Sequence, residues 1–289
     1  MNTTVSTRTL QRVIESVPTS DGAGVKLRRS LGQRPTLRLD PFLMLDEFSS
    51  DDADDYSAGF PSHPHRGFET VTYMLDGHML HEDNLGHRGN LKSGGVQWMT
   101  AGRGIIHSEM PQQESGRMRG FQLWINLPAR EKMKPASYRD IQPHEIPVVP
   151  LRGGGRAKVI AGTLTLDSRS TPGPIQGLTT NPLYLDIELP AGAILSHPVR
   201  MDDNVFLYPY EGRVNIGSAS VLTHSAGVLS AGDRIEVAAG TDGARFILLA
   251  ARPLGEPVVQ YGPFVMNTRE EIEQAMRDYQ NGKLVQPAA

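Results

Sequence analysis

The pentapeptide S-H-P-H-R at Ser62–Arg66 recurs as S-H-P-V-R at Ser196–Arg200, each time followed by an apolar, β-branched run and then by Gly77 or Gly212. Further along, S-G-G-V (Ser93–Val96) recurs as S-A-G-V (Ser225–Val228), at offsets of 31 and 29 from the preceding serine. Two matches in the same order at nearly the same spacing read as an internal duplication. A chain of 289 residues divided in this way holds two domains of ordinary size, each with its own core.

The repeated unit is a β domain. Thirty glycines and 21 prolines punctuate short runs rich in Val, Ile, Leu, Tyr and Thr, at the spacing of sandwiches and barrels. ETVTYMLDG (Glu69–Gly77), VQWMT (Val96–Thr100), FQLWINL (Phe121–Leu127), LYLDIEL (Leu183–Leu189) and RFILLAA (Arg245–Ala251) all read as strands. In LYLDIEL the alternation puts Leu183, Leu185, Ile187 and Leu189 on one face. One helix is signalled near the end: Thr268 and Glu271 form a capping box, Ile272, Ala275, Met276 and Tyr279 an apolar stripe, and Gly282 a stop. Between Pro128 and Gly155 the character changes to charge, proline and the LRGGGR turn. The domains are therefore expected at 1–148 and 149–289.

Composition narrows the function. A formal charge of -3 supplies no broad field for nucleic acid or an anionic membrane. There is no cysteine, which excludes disulfides, thiolate catalysis and cysteine-ligated zinc or iron–sulfur centres. The stretch MNTTVSTRTLQR has no apolar core of signal-peptide length, and the longest apolar run, Phe246 to Ala251, is too short to cross a bilayer. The expected location is the cytoplasm.

His63, His65, His107 and Glu109 form two short pairs, His-Pro-His and His-Ser-Glu, 42 positions apart. In an extended strand residues i and i+2 point the same way, so each pair offers two donors to one point. A lone His-x-His is more often a surface or satisfied core pair, but two pairs in glycine-punctuated strands point to a metal. Three imidazoles and a carboxylate suit Fe(II), Mn, Co, Ni or Cu better than a structural thiolate zinc site. Glu69, four residues after His65, competes for the carboxylate role; the preferred reading makes it a carboxylate that orients a ligand imidazole through its free N–H.

The second copy lacks the ligands. Val199 stands where His65 stands, and aligning Gly232 with Gly102 places Val237 opposite His107, so the second domain is expected to hold no metal. The other histidines read as loop or core residues, although His81 and His87 lie where they could reach a pocket rim.

The stretches GFPSHPHRGFETVTYMLDGHMLHEDNLGHRG and GGVQWMTAGRGIIHSEMP, with DPFLMLDEF upstream and EPVVQYGPFVMNTREEI downstream, closely resemble the pirin family of the cupin superfamily. The likeness runs from about residue 7 to residue 283. The general cupin motifs fit less tightly: Gly59, His63, His65, Glu69 and Gly77 are spaced off the usual gaps, and Gly102 replaces the proline before Gly104 and His107. The resemblance implies an all-β bicupin, two antiparallel jelly-roll barrels with a short C-terminal helix. It further implies one mononuclear Fe(II) in the N-terminal barrel, with Glu109 as fourth ligand and Glu69 outside the ligand set. Mn, Co, Ni, Cu or Zn can occupy such donors in a purified sample.

Bacterial pirins resemble quercetinases, which open the central ring of a flavonol with O₂ and release carbon monoxide. The resemblance thus implies a flavonol-like aromatic substrate, O₂, and Glu109 as base. Trp98, Met99, Phe60 and Phe68 are candidates for an apolar wall, with barrel packing as their plainer role. The competing expectation is a non-enzymatic, iron-dependent redox sensor acting through protein partners, without direct nucleic-acid contact.

Overall fold

The computed structural model describes residues 5–167 and 169–285, so the first four residues of the amino-terminal stretch lie outside the described residues. The chain divides into two compact units, Val17–Pro143 with Leu254–Ala289, and Met1–Ser16 with His144–Pro253. The crossing after Pro143 lies close to the expected boundary, but each unit takes a terminal segment from the other end of the chain. The strand Leu10–Glu15 pairs antiparallel with Ser225–Leu229, and the hairpin Val259–Tyr261/Phe264–Met266 with its helix joins the unit that carries the histidine pairs. Composition marks where a core ends; it does not record which sheet edge a terminal strand completes.

Besides that hairpin, the histidine-bearing unit is built on two antiparallel sheets. The larger has seven strands in the order Ser137–Ile141, Val96–Thr100, Phe68–Asp76, Met118–Asn126, Phe42–Ser50, Val25–Arg29, Val17–Asp21. The smaller has four: Phe60–His65, Ile105–Pro111, His78–Asp83, Arg88–Lys92. Alternation sends one set of side chains from each strand inward. Leu27, Phe48, Met74 and Met118 of the large sheet meet Met79 and Leu91 of the small one in a single apolar cluster. Each such side chain contributes about 1.5–3 kcal/mol on burial. Leu27, Phe48 and Met79 of this cluster also line the cavity described below.

Two features fix the loop behind the histidines. Gly67 turns the chain between Phe60–His65 and Phe68–Asp76 with φ +91°, and a Cβ there would collide with the Val265 carbonyl, so only glycine fits. The helix Arg269–Gln280 forms as expected, its capping box complete: the Glu271 N–H donates to Thr268 Oγ1 at 3.2 Å, and the Thr268 N–H to Glu271 Oε2 at 3.0 Å. Ile272 and Ala275 are buried against Phe264, Met266 and Leu284, whereas Tyr279 of the expected stripe stays 43% exposed. The helix also does more than pack. Its Asp278 accepts from buried Arg66, the residue after His65, at 2.7 Å, and Arg66 reaches the Arg103 and Leu284 carbonyls too.

The second unit is built on a nine-stranded sheet whose path runs Leu10–Glu15, Ser225–Leu229, Asn204–Ile216, Arg234–Ala251, Leu183–Leu189, Arg156–Ala161, Val148–Pro150, with Ile194–Pro198 and Ala219–Val221 pairing off it. The 18-residue strand Arg234–Ala251 pairs Ile194–Pro198 along its first part and Leu183–Leu189 along its last, which curls the sheet around a core. Leu183, Leu185, Ile187 and Leu189 all enter that core, as their alternation requires. The fold is that of two cupin domains. No described helix is long and apolar enough to cross a membrane.

The ladder corrects the alignment of the two copies. Ile105 pairs with His65 and His107 with His63; in the second unit Ile235 pairs with His197 and Val237 with Leu195. With Gly232 set on Gly102, His197 takes the place of His65, and Leu195 that of His63. The S-H-P match is thus displaced by two residues, a shift that preserves side-chain parity and hides itself in the sequence. One imidazole remains, with Nδ1 at 3.1 Å from the Thr165 carbonyl.

Candidate metal centre

His63 and His65 lie on an edge strand of the small sheet, where Pro64 costs no ladder bond that a central strand would need. The neighbouring strand sets His107 directly opposite His63. One donor nitrogen from each of His63, His65 and His107 lies within 4.8 Å of the others, and ring centroids are 4.4–4.9 Å apart. His65 and His107 are buried and His63 half-buried.

The hydrogen-bond pattern marks the free nitrogens. His63 Nδ1 lies 2.8 Å from the Pro61 carbonyl, so the network assigns its proton there and leaves Nε2 bare. His107 Nε2 and both nitrogens of His65 are buried with no hydrogen-bond partner of good geometry. Such groups are costly unless something else satisfies them. Burial, followed by neighbouring His63, holds the His65 pKa well below its usual value, with only the Pro263 carbonyl opposing. Burial, then His65, His63 and His81, does the same for His107. Unprotonated imidazoles with converging, unpartnered nitrogens are what a metal ion requires. These three histidines could hold one.

Glu109 stands in the same cavity but outside that three-residue cluster. A register shift between His107 and Glu109 re-aims it. Its Oε1 lies 2.8 Å from Thr72 Oγ1, whose single proton is shared between it and Gln122 Oε1 at 2.7 Å, and its Oε2 accepts from Gln122 Nε2 at 3.1 Å. Thr72 and Gln122 are ladder partners, Gln122 also pairs with Asp46, and Asp46 with Arg29. A row of polar side chains therefore crosses the large sheet from Glu109 to the Arg29–Asp46 ion pair, whose shorter contact is 2.7 Å.

No described hydrogen bond links Glu69 to a ligand imidazole. The turn at Gly67 ends the strand that carries His65, so counting four residues onward loses its meaning. On the new strand Thr72 faces the cavity and Glu69, of opposite parity, faces away. Its Oε1 accepts from Thr100 Oγ1 at 2.7 Å and lies 3.9 Å from Lys134 Nζ, while burial raises its pKa.

The residue that sequence reasoning underrated is His81. It is 1% exposed, pairs with Glu109 across the ladder, and its Nδ1 lies 3.3 Å from His107 Nδ1. Met79, His81 and Asp83 alternate on one strand face, a period-2 signal in a segment whose polarity suggests a loop. Burial would raise the Asp83 pKa, but hydrogen bonds from the His81 and His87 side chains and from the His87 and Leu85 backbone carry it down to about 2.

The cavity has a volume of about 590 Å³. Of the four aromatic and methionine side chains considered for its wall, Phe60 lines it; Trp98, Met99 and Phe68 do not, and Trp124, Leu43, Phe48 and Met79 take their place. Trp124 stands edge-on to His65 at 5.4 Å.

Fold and cluster together define a bicupin with a histidine triad of metal-binding type in one barrel. Comparison with known proteins gives the family. The family model described as Pirin matches residues 24–125, and that of the Pirin C-terminal cupin domain residues 184–285. A Pseudomonas aeruginosa protein named "Putative quercetin 2,3-dioxygenase" is 53% identical over 270 residues, covering 92% of this chain and 94% of that one. A pirin-like protein of Caulobacter vibrioides is 52% identical over 276 residues, covering 96% and 99%. The crystal structure of a quercetin 2,3-dioxygenase from Acinetobacter baumannii superposes with a TM-score of 0.87 at 30% identity, covering 96% of this chain and 99% of that one. The chain belongs to the pirin family.

Proposed function

We propose that the protein is a metal-dependent dioxygenase of the quercetinase type, which opens the central ring of a flavonol with O₂ and releases carbon monoxide. His63, His65, His107 and Glu109 would hold its single divalent ion; their N/O donor set admits Fe(II), Mn, Co, Ni or Cu, and the resemblance to pirins favours Fe(II). The observation that carries this reading is the convergence of unpartnered, unprotonated imidazole nitrogens on a cavity of about 590 Å³, within the range that accommodates small-molecule ligands. Names and structures of relatives support it.

When bound, the ion lowers the pKa of a coordinated hydroxyl and supplies the redox-active centre that O₂ chemistry needs. The protein does the rest. Glu109 takes the proton of the flavonol 3-hydroxyl; the hydrogen bonds from Thr72 and Gln122 fix its carboxylate and leave lone pairs for that proton. Phe60, Trp124, Leu43 and Met79 offer an apolar slot for a flat ring system. Gln122 and the Arg29–Asp46 pair set a polar edge against which ring hydroxyls align.

The test is anaerobic reconstitution with Fe(II), Mn(II), Co(II), Ni(II), Cu(II) or Zn(II), followed by O₂ uptake and carbon monoxide detection with quercetin. Stoichiometric CO from a metal-loaded sample is expected. Full activity in a metal-free preparation, or no uptake with any flavonol, overturns the reading.

A further inference from the structure

We propose that His81 and Asp83 are positioning residues for the histidine cluster, holding His107 in the one tautomer that leaves its Nε2 free as a donor. This rests on the reading of His63, His65 and His107 as metal ligands and extends it outward by two residues.

The argument follows the protons. His107 Nδ1 and His81 Nδ1 lie 3.3 Å apart, so one carries hydrogen and the other a lone pair. The other nitrogen of His81, Nε2, lies 3.4 Å from Asp83 Oδ2. An ionised carboxylate only accepts, so His81 carries its proton on Nε2 and presents a bare Nδ1. His107 must then donate from Nδ1 and keep its lone pair on Nε2. That Nε2 is the His107 nitrogen with no hydrogen-bond partner. The direction of the chain is thus set at Asp83, one imidazole further out than in the usual carboxylate–histidine–metal arrangement.

Asp83 and His81 are both locked. Asp83 Oδ1 accepts from the backbone N–H of Leu85 at 2.9 Å and of His87 at 3.1 Å, and Oδ2 lies 2.8 Å from His87 Nδ1. The Asp83 side chain is fully buried. Tyr138 stacks on the His81 ring at 4.3 Å and 21°, and a Cβ at Gly89 would collide with the Tyr138 hydroxyl. His81 therefore has little room to rotate and escape the constraint.

Asp83→Asn reverses the chain. With its oxygen kept on the two backbone N–H groups, the amide presents NH₂ to His81, which must then accept at Nε2 and donate from Nδ1. His107 is left with its proton on Nε2. Long-range ¹H–¹⁵N NMR on the metal-free protein is expected to show Nδ1–H at His107 in the wild type and Nε2–H in the variant. Zn(II) affinity, read by competition with a chromophoric chelator, is expected to fall about 10–100-fold. An Nε2–H tautomer at His107 in the wild type overturns the proposal without recourse to any variant. So does wild-type Zn(II) uptake matched by Asp83→Asn with the His107 tautomer unchanged, an outcome that leaves the metal reading standing. A wild type that takes up no divalent ion overturns the metal reading instead, while the tautomer measurement still decides the positioning role.

Discussion

His63 and His107 are direct partners in an antiparallel ladder, with ring centroids 4.4 Å apart. That pairing joins two motifs distant in sequence, and the pair two positions along, Ile105 with His65, brings in the third imidazole. Backbone hydrogen bonds thus impose the spacing before any ion contributes. The cost of crowding three imidazoles, two of them buried, is met by the sheet, and an ion that satisfies their nitrogens should return stability to the fold.

Metal addition is accordingly expected to raise the unfolding temperature, by an amount equivalent to about 2.7 kcal/mol at a free-ion concentration 100 times Kd. Wild-type protein should retain one equivalent of divalent metal by elemental analysis, and His65→Ala essentially none. Unchanged unfolding temperatures with and without chelator would contradict the coupling.

Glu109→Gln removes the charge while the side chain keeps its length. Metal retention is expected to fall partly and quercetin turnover to vanish, because an amide cannot take the hydroxyl proton. Gln122→Leu acts differently: Glu109 keeps its carboxyl group but loses a donor, which costs about 1.5–3 kcal/mol in urea unfolding. Should Gln122→Leu leave both stability and turnover unchanged, the Gln122–Glu109 contact has no function.

What the sequence disclosed, and what it hid, both follow from strand parity. His63, His65 and His107 were legible because i/i+2 geometry holds within a strand, and the capping box at Thr268 and Glu271 because a helix end is local. Glu69 misled because Gly67 breaks the strand between it and His65. His81 was obscured because a strand of H-M-L-H-E-D has loop-like polarity unless its face is known to be covered. The two-residue displacement of the second copy preserves parity, so no pattern of alternation could expose it; ladder partners are needed. The placing of the strand Leu10–Glu15 beside Ser225–Leu229 rests on backbone pairing, which carries no side-chain signature.

Acid should weaken the metal-free fold through these same imidazoles. The unfolded chain titrates its histidines near pH 6.5, while His65 and His107 in the folded protein titrate well below. As pH falls through that window the unfolded state binds protons the folded state refuses, so stability present at neutral pH is lost. Urea midpoints of chelator-treated wild type should drop more between about pH 7.5 and 5.5 than those of a His65→Gln/His107→Gln double variant. Equal drops would assign the acid sensitivity to carboxylates elsewhere.

Lys132 supports the loop behind the histidines. Its buried ammonium donates to the Gly67 carbonyl at 2.7 Å, Asn126 Oδ1 at 2.6 Å and the Val265 carbonyl at 3.0 Å. Lys132→Met leaves three buried acceptors short of a donor and is expected to cost about 3 kcal/mol or more, with weaker metal retention because Gly67 closes the turn after His65. Burial lowers the Lys132 pKa from 10.5 to about 8, against the pull of Glu256 and Glu271. Between those values the unfolded chain holds more protons, so this group's contribution to stability rises with pH across the window and falls away below it. The stability gap between wild type and Lys132→Met should therefore widen between about pH 7.5 and 9.5 in urea titrations. If it stays constant, the three acceptors hold the ammonium charged throughout, and burial has not lowered its pKa.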